Sequence, residues 1–313
     1  MVIVVNYYHS PAFEDALRKT YPELKVISLE GGDSGALARA LPEATVLVGN
    51  TGNVDFHPFP QIKWIQSFSA GINHLIPRVP NHIIITRGLG VHDVAMSEHC
   101  LARMLAHEHK LLMAWDNQKK RCWKEYPTGR LAGKVLGIAG LGSIGQALAK
   151  RSQALDMKVV GLRSRSQPTP YTDAVYGPEQ MDEFLGQLDY LAILLPLTDV
   201  TQGMFGKAQF AMMKEGSVLI NMGRGAVVKE AELTSALEAE TPKPSYALLD
   251  VFNEEPLPPE SKLWGLPNVT ITPHNAGGSQ TEDCVELFMH NLEAFLASQP
   301  GSMRGVVERS RQY

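Results

Sequence analysis

Eleven short runs of β-branched and aliphatic residues recur along this chain, separated by turn residues and amphipathic stretches, and nothing else in it constrains the fold as much. Strands that alternate with helices are the pattern of βα units feeding a parallel sheet. Five runs fall in the first third, at residues 2–5, 25–29, 45–48, 63–66 and 83–86. Six follow, at 134–139, 158–162, 189–195, 217–221, 246–251 and 269–272. Two groups of strands in 313 residues predict two α/β domains, each a doubly wound parallel sheet.

Helices are expected between the runs. Ser10-Pro11 reads as an N-cap followed by proline at the first helical position. After Asp93, a candidate N-cap, Val94, Leu101, Met104, Leu105, Leu111, Leu112 and Trp115 keep helical spacing and predict one long helix over 94–115. Val285, Leu287, Phe288, Leu292 and Phe295 predict another over 281–297, with a polar, frayed terminus after Gln299-Pro300-Gly301. Most of the large aromatics, Trp64, Phe68, Trp115, Trp123 and Trp264, are expected in the core.

Charge narrows the function. With 29 Lys+Arg against 33 Asp+Glu, the chain carries no electrostatic footprint for nucleic acid or an anionic membrane, so a small molecule is the expected partner. Three cysteines, Cys100, Cys122 and Cys284, make neither a disulfide framework nor a zinc cluster, which fits a reducing compartment. Met1 runs directly into Val2-Ile3-Val4-Val5, a strand pattern without the basic start of a signal peptide. The longest apolar stretches, 135–141 and 191–197, fall short of the ~20 residues a membrane helix needs. The expected location is the cytoplasm. His92, His99, His107 and His109 lack metal-ligand spacing and read as a solvated polar helix face, so no metal is expected.

Gly140-Leu141-Gly142-Ser143-Ile144-Gly145 directly follows the strand at 135–139 and opens a helix. In that context the glycines let the backbone approach a pyrophosphate, while Ser143 and Ile144 begin a helix whose positive end faces it. The next strand ends in Arg163-Ser164-Arg165, where an acidic residue would bind the ribose hydroxyl of NAD. Two guanidiniums and a hydroxyl suit a 2′-phosphate instead, so NADP(H) is expected in preference to NAD(H).

Three further segments each follow an apolar run: Asn221-Met222-Gly223-Arg224-Gly225, Asp250-Val251-Phe252-Asn253-Glu254-Glu255-Pro256 and Thr272-Pro273-His274-Asn275-Ala276. Open α/β sheets bind ligands at such strand ends. With these marks in order, the chain resembles the D-isomer-specific 2-hydroxyacid dehydrogenases, and within them the NADP-preferring glyoxylate/hydroxypyruvate reductases. The resemblance implies reduction of a small 2-keto acid to the D-2-hydroxy acid. Arg224 would clamp the substrate, and His274 would give the proton with Glu255 holding its other ring nitrogen. Ser69, Ala70, Gly71 and Ile72 would hold the substrate carboxylate. Leu195, Pro196, Met222 and Gly223 would lie along the cofactor, and Asp250 would receive its carboxamide. It further implies a flavodoxin-like substrate domain over 1–98 and 284–313, a Rossmann cofactor domain over 99–283, an interdomain cleft holding the site, and a homodimer. Formate dehydrogenation is disfavoured, since the resembling enzymes carry Gln where Glu255 stands. The rival from another class is a dinucleotide-sensing binding protein of the corepressor type.

Overall fold

The structure, a computed structural model, describes residues 1–31 and 33–311, apart from the side chain of residue 311. Its chain divides into two compact units, Met1–His92 with the segment from Ser279 onward, and Asp93–Gly278.

The first unit holds strands β1 (Val2–Tyr7), β2 (Lys25–Glu30), β3 (Val46–Gly49), β4 (Trp64–Gln66) and β5 (Ile84–Thr86). They pair parallel in the order β2-β1-β3-β4-β5, which reverses direction between β1 and β3. Alternation along β1 fills both faces, as the strand period of two requires. Ile3 and Val5 pack with Phe13 and Leu17 of α1 (Ser10–Thr20), whereas Val4 packs with Leu37 and Ala40 of α2 (Ser34–Ala40). Ser10 is not a cap. Its hydroxyl turns its one proton to the neighbouring carbonyls of Tyr7 and Leu29, not to the helix, and the helix starts at Ser10 with Pro11 in its first turn.

The second unit holds β6 (Val135–Ala139), β7 (Lys158–Leu162), β8 (Ala174–Tyr176), β9 (Tyr190–Ile193), β10 (Val218–Asn221), β11 (Tyr246–Leu249) and β12 (Val269–Ile271). All are parallel, in the order β12-β11-β10-β9-β6-β7-β8, with the reversal between β6 and β9. The edge strand β8 has no counterpart among the expected runs. Two helices replace the single long one: α3 (Asp93–Glu108), with Asp93 inside its first turn, and α4 (Leu111–Lys119). They part at Lys110, whose φ of +53° is left-handed. The reason is what each can bury. Met96, Cys100, Leu101 and Met104 of α3 pack into the core beside Leu136, Ile138 and Ile220, whereas α4 buries no residue. Trp115, Trp123 and Trp264 are exposed, not core, while Trp64 and Phe68 are buried.

The remaining helices are α5 (Ser143–Gln153), α6 (Met181–Gly186), α7 (Lys207–Met212), α8 (Glu230–Leu237) and, back in the first unit, α9 (Thr281–Leu296). Cys284, Leu287, Phe288 and Leu292 of α9 belong to the core that contains Ile3 and Trp64. From 300 to 309 the chain is not frayed. Met303 is buried, Gly305 accepts the N–H of Arg87, and the Val307 N–H donates to Ile85. Arg309 spends its guanidinium on the carbonyls of Ile76, Val79, Pro80 and Ile83. No described helix is long and apolar enough to cross a membrane.

Candidate active site

The glycine turn sits where the second sheet reverses, between β6 and β9, the position at which open α/β sheets bind ligands. Gly140 has φ +106°, and a Cβ there would stand 2.9 Å from the Leu194 carbonyl oxygen, so glycine is required on both counts. A Cβ on Gly145 would meet the Gly140 oxygen at 2.1 Å; its absence lets α5 sit down on its own turn. Gly142 differs. It precedes α5 at φ −73°, offers no side-chain cap, and a Cβ there would meet nothing within 4 Å. The first helical bond runs from Gln146 to Gly142, so the N–H groups of Ser143, Ile144 and Gly145 have no earlier helical carbonyl to bond at the positive end of the helix. That cradle fits a pyrophosphate.

Arg163, Ser164 and Arg165 follow the end of β7. The backbone N–H of Arg163 is tied to Tyr176 of β8, and its guanidinium donates to Thr169 Oγ1 at 3.3 Å. Ser164 and Arg165 are exposed. Leu195 and Pro196 leave β9 in a loop that Thr201 ties back by donating to the Pro196 carbonyl at 2.6 Å. A Cβ on Gly223 would stand 2.8 Å from the Leu195 oxygen, so the Met222-Gly223 turn presses against that loop.

Arg224 follows at the carboxyl end of β10. The buried Asn221 side chain shapes the turn, donating to the Arg224 carbonyl and accepting from the Gly223 N–H, each at 3.2 Å. Burial pushes the Arg224 guanidinium below its ordinary pKa and the negative Glu255 opposes that, yet an arginine keeps its charge. A Cβ on Gly225 would lie 2.0 Å from the Phe252 backbone, which brings the turns after β10 and β11 together.

Glu255 accepts the Phe252 N–H through Oε1 at 2.9 Å and meets His274 Nδ1 through Oε2 at 2.6 Å. The carboxylate can only accept, so Nδ1 meets it as an N–H, and Nε2 is left as the ring atom that can face a substrate. His274 holds a left-handed φ of +50°, an unusual conformation for a residue with a side chain. Its N–H is secured by the carbonyls of Asp250 and Thr272, at 2.8 and 3.1 Å. Strain held this firmly marks functional positions.

Asp250, 1% exposed, organises the same loop. Its Oδ1 accepts the Thr272 hydroxyl at 2.5 Å and the Asn275 N–H at 3.2 Å, and its Oδ2 accepts the Ala276 N–H at 3.1 Å. With about four acceptor directions on a carboxylate, one remains at Oδ2 for a further donor. Of the neighbours of Asp250, Arg103 escaped the sequence reading and His99 was read only as part of a solvated face. Arg103 of α3 reaches Thr270 O, Thr270 Oγ1 and Thr272 Oγ1 at 2.7, 3.0 and 3.1 Å. His99, one turn earlier, lies 4.0 Å from Asp250, and burial lowers the pKa of both His99 and Arg103. The i, i+4 spacing of a histidine and an arginine, which puts both on one helix face, was the available signal. Of the four histidines only His109 is solvated: His92 is buried against the Phe68 carbonyl, and His107 packs on Tyr190 and Tyr246. Among the described residues, no group of three His, Cys, Asp or Glu is placed to hold a metal.

In the first unit, Ser69, Ala70, Gly71 and Ile72 follow the carboxyl end of β4. Ser69 is exposed and Ile72 buried.

A seven-stranded parallel sheet with a glycine turn at its reversal defines a dinucleotide-binding α/β domain. Residues 101–276, more than half of the chain, match the NAD-binding domain of the D-isomer specific 2-hydroxyacid dehydrogenases, and the chain belongs to that family. It is a D-2-hydroxyacid dehydrogenase by family. Among solved structures it is similar to a D-isomer specific 2-hydroxyacid dehydrogenase family protein from Aeromonas salmonicida, with 30% identity, 98% of each chain covered and a TM-score of 0.89. It is also similar to the NADPH-dependent glyoxylate/hydroxypyruvate reductase of Sinorhizobium meliloti in complex with NADP and sulfate, with 30% identity, 100% and 99% covered and a TM-score of 0.86. A third is a D-isomer specific 2-hydroxyacid dehydrogenase from Xanthobacter autotrophicus in complex with NADPH and MES, with 26% identity, 100% and 99% covered and a TM-score of 0.86.

Proposed function

We propose that this enzyme reduces a small 2-keto acid to the D-2-hydroxy acid with NADPH, and catalyses the reverse. The carrying observation is the 2.6 Å His274–Glu255 pair at a strand end, with Arg224 on the adjoining turn. The bound dinucleotide supplies the hydride. Arg224 offers the fork of donors that a keto acid accepts, and its partial burial strengthens that attraction. His274 Nε2 gives its proton to the oxygen that becomes the hydroxyl, while Glu255 holds Nδ1–H and offsets the charge on the ring. Ser69, Ala70, Gly71 and Ile72 hold the substrate carboxylate.

Gly140, Gly142, Ser143, Ile144 and Gly145 cradle the pyrophosphate. Leu195, Pro196, Met222 and Gly223 line the nucleotide, and the remaining acceptor direction of Asp250 serves the carboxamide. The absence of an acidic side chain at 163–165 and the arginines there support preference for the 2′-phosphate. NADP and NADPH in complexes of similar enzymes agree with that reading. The exposed Leu111, Leu112 and Trp115 of α4 support a homodimer through this unit, which sedimentation of the purified chain would read directly. Three free cysteines suit the cytoplasm.

The test is oxidation of NADPH and of NADH by the purified enzyme against 2-keto acids running from glyoxylate and hydroxypyruvate to branched and aromatic ones. Turnover of a small member with a higher kcat/KM for NADPH is expected. Equal kcat/KM for the two cofactors refutes the preference, and no turnover of any 2-keto acid refutes the activity.

A further inference from the structure

Behind the 69–72 loop, four polar side chains with no exposed surface, Trp64, Gln66, Thr86 and Asn291, form one hydrogen-bonded chain. Trp64 Nε1 donates to the Thr86 hydroxyl, which donates to Gln66 Oε1, each at 2.8 Å. Asn291 Nδ2 donates to the same oxygen at 2.8 Å and to the Arg304 carbonyl at 3.0 Å, while its Oδ1 accepts the Arg304 N–H at 2.7 Å. Gln66 therefore accepts twice through Oε1, and its Nε2 has one direction left to point. It donates to the Ser67 carbonyl at 2.9 Å.

Stability alone does not call for this chain, because matched apolar side chains of the same shape would be nearly neutral there. What a satisfied buried network supplies is a single arrangement. Here the arrangement ends on the stem of the loop. Ser67 Oγ accepts the Ser69 N–H at 3.2 Å, and the Ser69 carbonyl accepts the Gly88 N–H at 3.1 Å. His92 Nε2 holds the Phe68 carbonyl at 2.7 Å, and a Cβ on Gly88 would stand 2.2 Å from that oxygen. From the far side, Gly305 accepts the Arg87 N–H at 2.9 Å.

We infer that Gln66 is a positioning residue for the 69–72 loop, held in register by Asn291 of α9 and through it by the chain at Arg304. The inference rests on the proposed role of that loop in holding the substrate carboxylate. The last helix thus does more than cover the sheet, since its one buried amide sets where the loop begins.

Gln66→Met keeps the volume and removes the bonds to Thr86, Asn291 and the Ser67 carbonyl, and should raise KM for the 2-keto acid tenfold or more. The Kd for NADPH should stay at the parental value and kcat should change by less than a factor of three. Asn291→Leu should raise KM in the same sense but less, and the double variant should be no worse than Gln66→Met, because both cut one path. If Gln66→Met does not fold, Asn291→Leu carries the test alone. Variants that lose Tm but keep the parental KM make the network purely structural and overturn the inference. Ala70→Pro removes a loop N–H directly and separates the two readings. If it raises KM while Gln66→Met and Asn291→Leu do not, the positioning role fails alone; if none raises KM, the loop's role fails and the inference with it.

Discussion

Gly142 and Gly145 lie three residues apart in one turn, yet alanine should do different damage at each. At Gly145 the new Cβ would sit 2.1 Å from the Gly140 oxygen, more than an ångström inside ordinary contact, and the obstacle is backbone that cannot swing aside. Overpacking of that kind costs ~1–3 kcal/mol, and alanine in a helix returns ~0.5–1 of it. The net loss of about 1–2 kcal/mol lowers Tm by about 2–8 °C in a unit of this size. At Gly142 the φ of −73° suits alanine and the added methyl enters open space, so Tm should fall by less. If that space holds a pyrophosphate, the methyl displaces the phosphate oxygens from the helix end. Losing one charge-assisted hydrogen bond, ~1.5–3 kcal/mol, raises the Kd of NADPH by about tenfold or more. Fluorescence titration of NADPH and calorimetric melting of both variants are the assays. A parental Kd in Gly142→Ala, or a larger Tm loss there than in Gly145→Ala, would refute the reasoning.

Arg224→Lys keeps the charge but loses the fork, so kcat/KM for the keto acid should fall while the Kd of NADPH stays within about threefold; a parental kcat/KM would remove Arg224 from substrate binding. His274→Ala should lower kcat by ~10²- to 10⁴-fold at unchanged NADPH affinity, measured by single-turnover hydride transfer, and a loss below tenfold would show that the proton comes from elsewhere.

The strand centres were legible because most of these strands are buried on both faces and read as unbroken apolar runs. β8 was not, since Ala174-Val175-Tyr176, closed in by Asp173 and Gly177, is three residues with a single β-branched member and makes no such run. The break at Lys110 was equally hidden: apolar spacing continues through Leu111, Leu112 and Trp115, and only the absence of a surface for α4 to bury them against separates it from α3. Arg224, Glu255 and His274 stood out as polar residues at strand ends, which is a local signal. Arg103 reaches Thr272 across 169 positions, a relation that spacing along the chain does not record. The fixed terminus was missed for a different reason. Its backbone at Arg304, Gly305 and Val307 makes bonds that composition does not describe, and the Arg309 guanidinium bonds carbonyls about 230 positions away.

The return of the chain to its first unit sets a timetable for synthesis. When His92 has left the ribosome, β1 to β5 exist, but the helix that supplies Cys284, Leu287, Phe288 and Leu292 to their core has not been made. Neither has the segment that pairs with β5 through Val307. At about 5–20 residues per second, the sheet waits roughly ten to forty seconds with one face and one edge uncovered. The whole of the second unit emerges in that interval, with every strand of its own sheet. The part begun second is therefore the first able to finish, and the nascent first sheet is where a chaperone would be needed.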